Sequence, residues 1–587
     1  MPLRGRYTAM SRLFHLGLRR KSVLRGSFWS SGPHRAAGSA MHRAGGTGIK
    51  GTMSDTLFRG GPVFTATGSP AEAVLVRDGR IAAVGAEADV VRQARPGHDT
   101  VDLAGRLLAP SFTDAHMHPV QAGLERARCD LSEVYGLQEY LDRVAAYAAA
   151  HPRRRWIEGG GWDMSAFPGG LPHRSQLDFL DRPVYLIQRD HHAAWVNSRA
   201  LELAGIDRDT PDPPDGRIER DPDGTPSGVL HEGAMDLVGL LPPRPTEEDL
   251  RAALLDAQAH LFSLGITGWQ DAIVGAYAGS DDQLPVYLSA ASSGALRARV
   301  VGALWWDRNR GAEQIEELLD RRERAAGLER FAATAVKIMQ DGIVENFTAG
   351  VIEPYHRCGG TGLSYVDPVE LRSHVAALDA HGFQVHVHAI GERAVREALD
   401  ALTGTDPANR HHIAHLQIIE PSDVPRFAEL GVTANLQPLW ATHHAQMDEL
   451  TLPFLGEERS RWQYPFADLV RHGTRLCAGS DWPVSNADPL QAMHVAVNRT
   501  EPPGSVHASY PTAGKPFLPE QAIDLTTVFT AYTAGSAWIN RSPAGRIEPG
   551  RPADLVVLDR DPFALDPADI WTTRVAMTFL DGECVYG

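Results

Sequence analysis

Residues 107–119 read LLAPSFTDAHMHP, an apolar segment that ends in two histidines followed by a proline. A short apolar segment bounded by turn-forming residues is typical of a strand that is buried in a parallel sheet. His116 and His118 are two positions apart, so on a strand they face the same side and both imidazoles can reach one metal ion. By itself this pair is weak evidence for a metal site, because a chain with 25 histidines contains such pairs by chance at surface or core positions.

From about residue 107 to 540, strand-like and helix-like segments alternate along the chain. Alternation over this length favours a parallel sheet, either open or closed into a barrel. In a (β/α)8 barrel the carboxyl ends of the strands meet at one mouth, where catalytic residues lie. We therefore expect distant groups to meet there, because six predicted strands end in residues that bind metals or titrate: His116 and His118, Lys337, His388, His415, Gln437 and Asp481.

Both ends of the chain carry a predicted β-hairpin. Residues 73–84 (AVLVRDGRIAAV) place Asp78-Gly79 between two apolar runs, and residues 575–586 (VAMTFLDGECVY) repeat the pattern around Asp581-Gly582. An Asp-Gly pair between strands indicates a tight turn that needs positive φ. Each β segment could bury only one face on its own, so we expect the two ends to pair into one sandwich.

These patterns predict the domain organisation. We expect residues 55–109 and 543–587 to form the composite β-sandwich, and residues 110–542 to form an α/β barrel. Within the barrel, residues from about 120 to 245 lack the β/α rhythm and are rich in Pro and Gly, so they predict an insertion after the first barrel strand.

Residues 1–54 differ from the rest of the chain, because they contain ten basic residues and no acidic residue. We expect a basic N-terminal extension that is disordered, or a misassigned start with Met53 as the initiator. The alternative is a targeting segment, although no apolar stretch is long enough for a secretory signal.

The composition excludes several classes of function. A formal net charge of −16 disfavours nucleic acid as a partner, since binding requires clustered Lys and Arg. No run of 18 apolar residues indicates a membrane-spanning helix. Cys129, Cys358, Cys477 and Cys584 are far apart and predict neither a disulfide framework nor a thiolate zinc site. We expect a cytoplasmic enzyme that acts on a small molecule, without a nucleic-acid or membrane partner.

Five motifs, each at the end of a predicted strand, give the chain a specific resemblance. In order they are HMHP, VKIMQDG, VHAIGERA, IAHLQ and GSDWPV. Together they resemble the amidohydrolase superfamily, and within it the amidohydrolase-3 group that includes N-substituted formamide deformylases. The resemblance covers about residues 56–587. It implies a TIM-like (β/α)8 barrel, a composite β-sandwich from both chain ends, one or two divalent metal ions at the barrel mouth, and a homodimer.

The resemblance also implies a set of metal ligands: His116, His118, Lys337, His388, His415 and Asp481. Because an ammonium group cannot bind a cation, Lys337 would act as a carbamate formed with CO₂, a carboxylated lysine that bridges two ions. The alternative is a structural lysine paired with Asp341. His388 and His415 lie nearer the carboxyl ends of their strands than His386 and His411, which we expect to support the site.

The implied chemistry is hydrolysis of an amide-like C–N bond. A divalent metal lowers the pKa of bound water from 15.7 toward ~7, so a metal-activated hydroxide attacks the carbonyl at neutral pH. Asp481 is the expected catalytic base, which takes the proton and passes it to the leaving nitrogen. Zinc is the metal we expect, although imidazole and carboxylate ligands also suit iron, nickel and manganese.

The insertion and the strand ends offer substrate-binding candidates. Trp162 and Asp163 lie in GGGWDMSAFPGG (residues 159–170), which predicts a glycine-rich loop, His192 lies in RDHHAAWVNSRAL, and Gln437 precedes Pro438. For Trp162 the alternative is a packing anchor. The preferred substrate is a neutral amide such as an N-substituted formamide. Alternatives are hydrolysis of a cyclic amide, a carbamate or an ester at the same site, or a non-catalytic metal-binding regulatory protein.

Overall fold

The structure of the chain is a computed structural model, and it describes residues 55–277 and 280–587. The predictions for residues 1–54 concern a segment that lies outside the described residues.

The described chain begins with six short strands, of which the first four form one sheet and the sixth is the first strand of the barrel. The strands are β1 (Thr56–Arg59), β2 (Ala73–Arg77), β3 (Arg80–Gly85), β4 (Asp99–Asp102), β5 (Leu107–Pro110) and β6 (Phe112–Met117). Strands β1 to β4 form a sheet in the order β3-β2-β1-β4. Asp78 and Gly79 have φ values of 49° and 76° and form the expected turn between β2 and β3. The predicted hairpin is therefore present.

The insertion after β6 forms a sheet of its own. Its strands are β7 (Cys129–Asp130), β8 (Ile157–Trp162), β9 (Val184–Gln188), β10 (Ala193–Val196), β11 (Gly216–Arg220) and β12 (Pro226–Glu232). They lie in the order β11-β12-β10-β9-β8-β7, with parallel pairing among β7, β8 and β9 and antiparallel pairing elsewhere. The segment predicted as an insertion thus has its own secondary structure and hydrophobic core.

Seven further strands complete the barrel with β6. They are β13 (Ile266–Val274), β14 (Arg299–Trp305), β15 (Phe331–Met339), β16 (Gln384–Ala389), β17 (His412–His415), β18 (Thr433–Leu436) and β19 (Leu476–Ala478). All neighbours are parallel, in the order β19-β18-β17-β16-β15-β14-β13-β6. Backbone hydrogen bonds from Asp481 N–H to His116 O (2.7 Å) and from His118 N–H to Trp482 O (2.8 Å) join the two end strands. The sheet is therefore a nearly closed TIM-like barrel.

The C-terminal strands complete the sandwich. They are β20 (Leu555–Leu558), β21 (Val575–Leu580) and β22 (Glu583–Tyr586), and with β5 they form a sheet in the order β22-β21-β20-β5. Side chains from both sheets share one hydrophobic core, in which the rings of Phe58 and Phe579 meet edge to face with centroids 5.0 Å apart. The prediction of a composite sandwich is confirmed, whereas the residue boundaries of the domains stay a prediction.

Helices connect the barrel strands and cover the sheets. They are α1 (Glu87–Val91), α2 (Pro119–Arg126), α3 (Leu137–Ala150), α4 (Ser198–Ala204), α5 (Asp236–Gly239), α6 (Glu247–Ser263), α7 (Leu284–Ser292), α8 (Ile315–Arg324), α9 (Pro368–Ala380), α10 (Glu392–Ala401), α11 (Val424–Leu430), α12 (Leu452–Ser460), α13 (Phe466–Arg471), α14 (Pro489–Asn498), α15 (Leu525–Thr530) and α16 (Ser536–Ile539). Among the described helices, none combines the length and apolar character that a membrane span requires.

Candidate metal centre

Three predicted ligands meet where β6 and β19 end. His116 Nε2 lies 3.2 Å and His118 Nε2 lies 3.0 Å from the same oxygen, Asp481 Oδ1. The potential ligand atoms of the three residues all lie within 4.8 Å of one another. The alternation of β6 explains the histidine pair, since residues two apart on a strand share a face.

Lys337 reaches the same place from β15. Its Nζ lies 3.4 Å from His116 Nε2. Burial lowers the pKa of the Lys337 amine to about 7, against a smaller opposing effect of the Asp481 carboxylate. Asp341, the alternative partner of this lysine, instead accepts hydrogen bonds from the backbone amides of Gly350, Ile390 and Gly391.

His388 and His415 complete the group from β16 and β17. The centroids of their rings are 4.4 Å apart, and the His415 ring lies 4.6 Å from the His116 ring. The Trp440 ring stacks on the His415 ring, with centroids 5.1 Å apart and an angle of 2° between the planes. His415 Nδ1 is buried and lacks a hydrogen-bond partner within residues 55–277 and 280–587. The structure thus brings all six predicted ligands together.

The electrostatics of the group suit a cation. Burial lowers the pKa values of His388 and His415 well below the ordinary range, so both imidazoles are neutral and offer lone pairs. Burial opposes ionisation of Asp481, but the adjacent rings of His116 and His118 outweigh it and lower the pKa of the carboxyl group. Neutral imidazoles, an ionised carboxylate and an unsatisfied buried nitrogen are the donor set that a divalent metal ion prefers.

The contact between β6 and β19 holds this geometry, and it includes Asp114, which was not among the predicted site residues. Asp114 accepts hydrogen bonds from the amides of His116 and Ser480, each at 2.9 Å. A Cβ on Gly479 would lie 2.5 Å from His116 N, so only glycine lets the two strands approach this closely. The signal was present in the sequence, because Asp114 precedes His116 by one strand period.

All six predicted ligands lie on the wall of a cavity of about 570 Å³. They are His116, His118, Lys337, His388, His415 and Asp481. Apolar side chains such as Ile390, Leu439 and Trp440 line it together with polar ones. A cavity of this size and mixed character is typical of a small-molecule site.

Two of the four predicted substrate-binding residues lie away from this cavity. Trp162 is the last residue of β8 and is fully buried; its Nε1–H donates to Leu186 O at 2.9 Å, and its ring packs against Phe167 and Trp195. Gln437 is buried, and its Oε1 accepts a hydrogen bond from His415 N–H at 2.7 Å. The Trp162 indole therefore packs in the core of the insertion, and the Gln437 amide supports the backbone at the end of β17.

Asp163 and His192 do line the cavity. Asp163 is buried, and its carboxylate lies 3.5 Å from His507 Nε2 and 4.0 Å from Arg189 Nε. His192 Nδ1 donates to Glu232 Oε1 at 2.9 Å, and its ring centroid lies 6.2 Å from that of His388. Burial disfavours the charge of His192, but Glu232 outweighs it and raises its pKa to about 9. Glu232 could not be predicted from the sequence as a partner of His192, because antiparallel pairing of β10 with β12 brings the two residues together.

Comparison with known proteins gives the family of the chain. The model of the amidohydrolase family matches residues 99–586. The chain is 30% identical to the putative amidohydrolase YtcJ of Bacillus subtilis, over 90% of this chain and 99% of the relative. It is 27% identical to the N-substituted formamide deformylase of Arthrobacter pascens, over 91% of this chain and 98% of the relative.

A solved structure is similar across nearly the whole described chain. It is a metal-dependent hydrolase from Pyrococcus horikoshii, with a TM-score of 0.68 and 26% identity, covering 88% of this chain and 99% of the other. The family match spans both the barrel and the C-terminal strands of the sandwich. The chain therefore belongs to the amidohydrolase family.

Proposed function

We propose that this chain is a metal-dependent hydrolase that cleaves an amide-like C–N bond of a small molecule. The observation that carries the proposal is the convergence of His116, His118 and Asp481 beside a cavity of about 570 Å³. Lys337, His388 and His415 are the further residues that we propose as metal ligands. A divalent ion supplies a Lewis acid that lowers the pKa of water and polarises a carbonyl oxygen.

In this proposal Asp481 is the proton acceptor. Its carboxylate lies on the cavity wall and stays ionised, since His116 and His118 hold its pKa low. Water adds to the carbonyl carbon, Asp481 accepts the released proton, and the same proton passes to the leaving nitrogen as the C–N bond breaks. The products are a carboxylic acid and an amine, which accounts for every atom of the amide and the water.

We propose that Lys337 is carboxylated. An amine must be neutral to react with CO₂, and burial gives Lys337 a pKa of about 7, so a large fraction is neutral at neutral pH. Asp341 is not paired with Lys337, because its carboxylate accepts hydrogen bonds from the backbone amides of Gly350, Ile390 and Gly391. The resulting carbamate provides the negative charge that a cation site needs.

For the substrate we propose a neutral N-substituted amide, with an N-substituted formamide as the first choice. Support comes from the 27% identity to a formamide deformylase over 91% of the chain and from the apolar part of the cavity wall. We propose zinc as the metal, since tetrahedral sites built from histidine and carboxylate are typical of zinc enzymes.

A substrate panel tests this function. Metal-free protein is reloaded with Zn²⁺ and assayed on an N-substituted formamide, a cyclic amide, a carbamate and an ester. We expect zinc-dependent release of amine from the formamide, lost in His118→Asn and kept in the matched control His472→Asn, whose histidine is exposed. Hydrolysis of only the cyclic amide, the carbamate or the ester would show that an N-substituted formamide is not the substrate. Zinc binding without hydrolysis of any compound would favour a regulatory role.

A further inference from the structure

A hydrogen-bonded network of buried polar side chains lies beneath the proposed metal site. It crosses five barrel strands, from His116 on β6 through residues of β13, β16 and β17 to β18. The additional members are all at most 1% exposed: Gln270, His386, His412, Asn435 and Gln437. A buried polar group is costly unless it is hydrogen-bonded, so each donor in this network must meet an acceptor. This requirement fixes the direction of each hydrogen bond in the network.

Backbone groups fix the orientation of the first amide. Gln384 Nε2 donates to the carbonyls of Arg410 and Ile539, each at 2.8 Å, so Gln384 Oε1 is the atom that faces Gln270. Gln270 Nε2 then donates to that oxygen at 2.8 Å and to Asn540 Oδ1 at 3.1 Å. Gln270 Oε1 is consequently an acceptor directed at the histidines.

Two imidazoles donate to Gln270 Oε1. His386 Nδ1 lies 2.7 Å and His412 Nε2 lies 3.0 Å from this oxygen, so each of these nitrogens carries a proton. The other nitrogen of His412 accepts from Asn435 Nδ2 at 3.1 Å. The second proton of Asn435 Nδ2 goes to Ala115 O at 3.0 Å, which fixes the Asn435 amide as well.

The remaining nitrogen of His386 faces the metal site. His386 Nε2 lies 2.8 Å from His116 Nδ1. Because His386 Nδ1 holds the proton of a neutral ring, His386 Nε2 accepts, and His116 Nδ1–H must be the donor. His116 Nε2 is then a lone pair, 3.2 Å from the Asp481 carboxylate. Two acceptors face each other there, an arrangement that a cation between them would satisfy.

We infer that His386, oriented by Gln270 and His412, is a positioning residue that holds His116 in the Nδ1–H tautomer. His116 Nε2 is thereby directed at the cation before any cation arrives. His386 is fully buried, and its two ring nitrogens meet an amide oxygen and an imidazole instead of a carboxylate, so a charged ring would be costly and the neutral ring is expected. The inference rests on the proposed function only in assigning the cation; the tautomers follow from the hydrogen bonds and the burial of the rings.

Neutron diffraction from metal-free, deuterium-exchanged crystals tests the tautomers directly. We expect deuterium on His116 Nδ1, His386 Nδ1 and His412 Nε2, and none on His116 Nε2. Deuterium on His116 Nε2 with a bare Nδ1 would overturn the inference. This readout does not depend on activity or metal content, so it separates failure of this inference from failure of the proposed hydrolase function.

Zinc affinity tests the consequence of the tautomer. Competition titration of Zn²⁺ against a chelator should show binding weakened about 10- to 100-fold in His386→Leu, the usual effect of losing a partner of a ligating histidine. His386→Gln keeps an acceptor near the Nε2 position and should recover part of the affinity. The matched control His494→Leu removes a buried histidine on α14 and should bind zinc like the wild type. Equal zinc affinity of the wild type and both His386 variants would contradict the inference. If His386→Leu does not fold, the zinc affinity of His386→Gln is compared with that of the wild type by itself.

Discussion

At the scale of single residues, Asp481 combines a strained backbone with a charged side chain. Its φ of 59° is uncommon for a residue other than glycine, and His415 shares this property with a φ of 76°. Such conformations persist where surrounding contacts over-determine them, and they concentrate at functional sites. The hydrogen bond from Asp481 N–H to His116 O is one of those contacts. Backbone strain therefore adds a second reason, independent of the side-chain geometry, to propose these residues as functional.

Replacement of Asp481 tests its proposed role as proton acceptor. We expect Asp481→Asn to lower kcat/KM about 10²- to 10⁴-fold, because an amide cannot accept the proton of the attacking water. Steady-state kinetics of zinc-loaded protein measures the effect. Asp367→Asn is the control, since Asp367 caps α9 and asparagine caps helices equally well. Wild-type kinetics in Asp481→Asn would contradict the role.

Carboxylation of Lys337 is a second prediction for a single residue. Protein exchanged into ¹³C-labelled bicarbonate should show a carbamate carbon resonance, which disappears in Lys337→Met because no amine is left to react. ¹³C NMR makes the measurement, and Lys50→Met or Lys515→Met provides a matched control in which the resonance is kept. A labelled wild-type spectrum without a carbamate signal, from zinc-loaded protein, would show that Lys337 acts as an amine.

At the scale of elements, the strand ends could be predicted from sequence because each apolar run stops at a polar group. Lys337, His388 and His415 lie within or at the ends of β15, β16 and β17, as the runs indicated. The hydrogen-bonded network that links the buried side chains of Gln270, His386, His412 and Asn435 could not be predicted in this way. It depends on the register that pairs His386 with His412 across β16 and β17, and strand register is a property of the folded sheet.

The strand β1 gives a prediction about pH. Asp55, just before β1, accepts hydrogen bonds from Arg77 Nε (2.9 Å) and Arg95 N (2.9 Å), and the bonds from Arg77 are the main reason that its pKa falls from 3.8 to about 2. A carboxyl group with a lowered folded-state pKa stabilises the fold above its ordinary pKa, and this contribution disappears as the pH falls from about 4 to about 2.

We therefore expect Asp55→Asn to lower the free energy of unfolding at pH 7 by about 1 kcal/mol. This value allows for screening of the pair, since Arg77 and Arg95 are 28% and 53% exposed. Urea denaturation at several pH values measures it, and the difference from the wild type should shrink as the pH falls toward about 2. A difference that stays constant over this range would show that Asp55 stabilises the fold by packing and not by charge.

At the scale of the whole molecule, the two chain ends depend on each other. Phe579 on β21 is 5% exposed and packs against Phe58 on β1. We expect Phe579→Ala to cost about 3–5 kcal/mol of unfolding free energy, because it leaves a cavity between the two sheets. Hydrogen exchange should then speed up in β1 and β2 as well as in β21. Tyr586→Ala, at a side chain 41% exposed in the same sheet, should change little. Faster exchange confined to β21 would contradict a shared core.

Much of this architecture could be predicted because local rules and the global fold agree. Both Asp-Gly turns have the positive φ values that such hairpins need, 49° and 76° at Asp78-Gly79 and 48° and 76° at Asp581-Gly582. The sheet of the insertion was not predicted, since its strands are short and mixed in direction. Trp162 was misplaced for the same reason: a glycine-rich stretch indicated a loop, whereas the segment forms β8 within the core of that sheet.

We expect the barrel mouth to bind a divalent cation through His116, His118 and Asp481. The decisive measurement is an anomalous-difference map from zinc-loaded crystals, collected at the zinc absorption edge. We expect a peak about 2.0–2.2 Å from His116 Nε2 and from an Asp481 carboxylate oxygen, with His118 in the same coordination sphere. A map with no peak at the mouth, or with zinc only at surface histidines, would show that these three residues do not form a metal site.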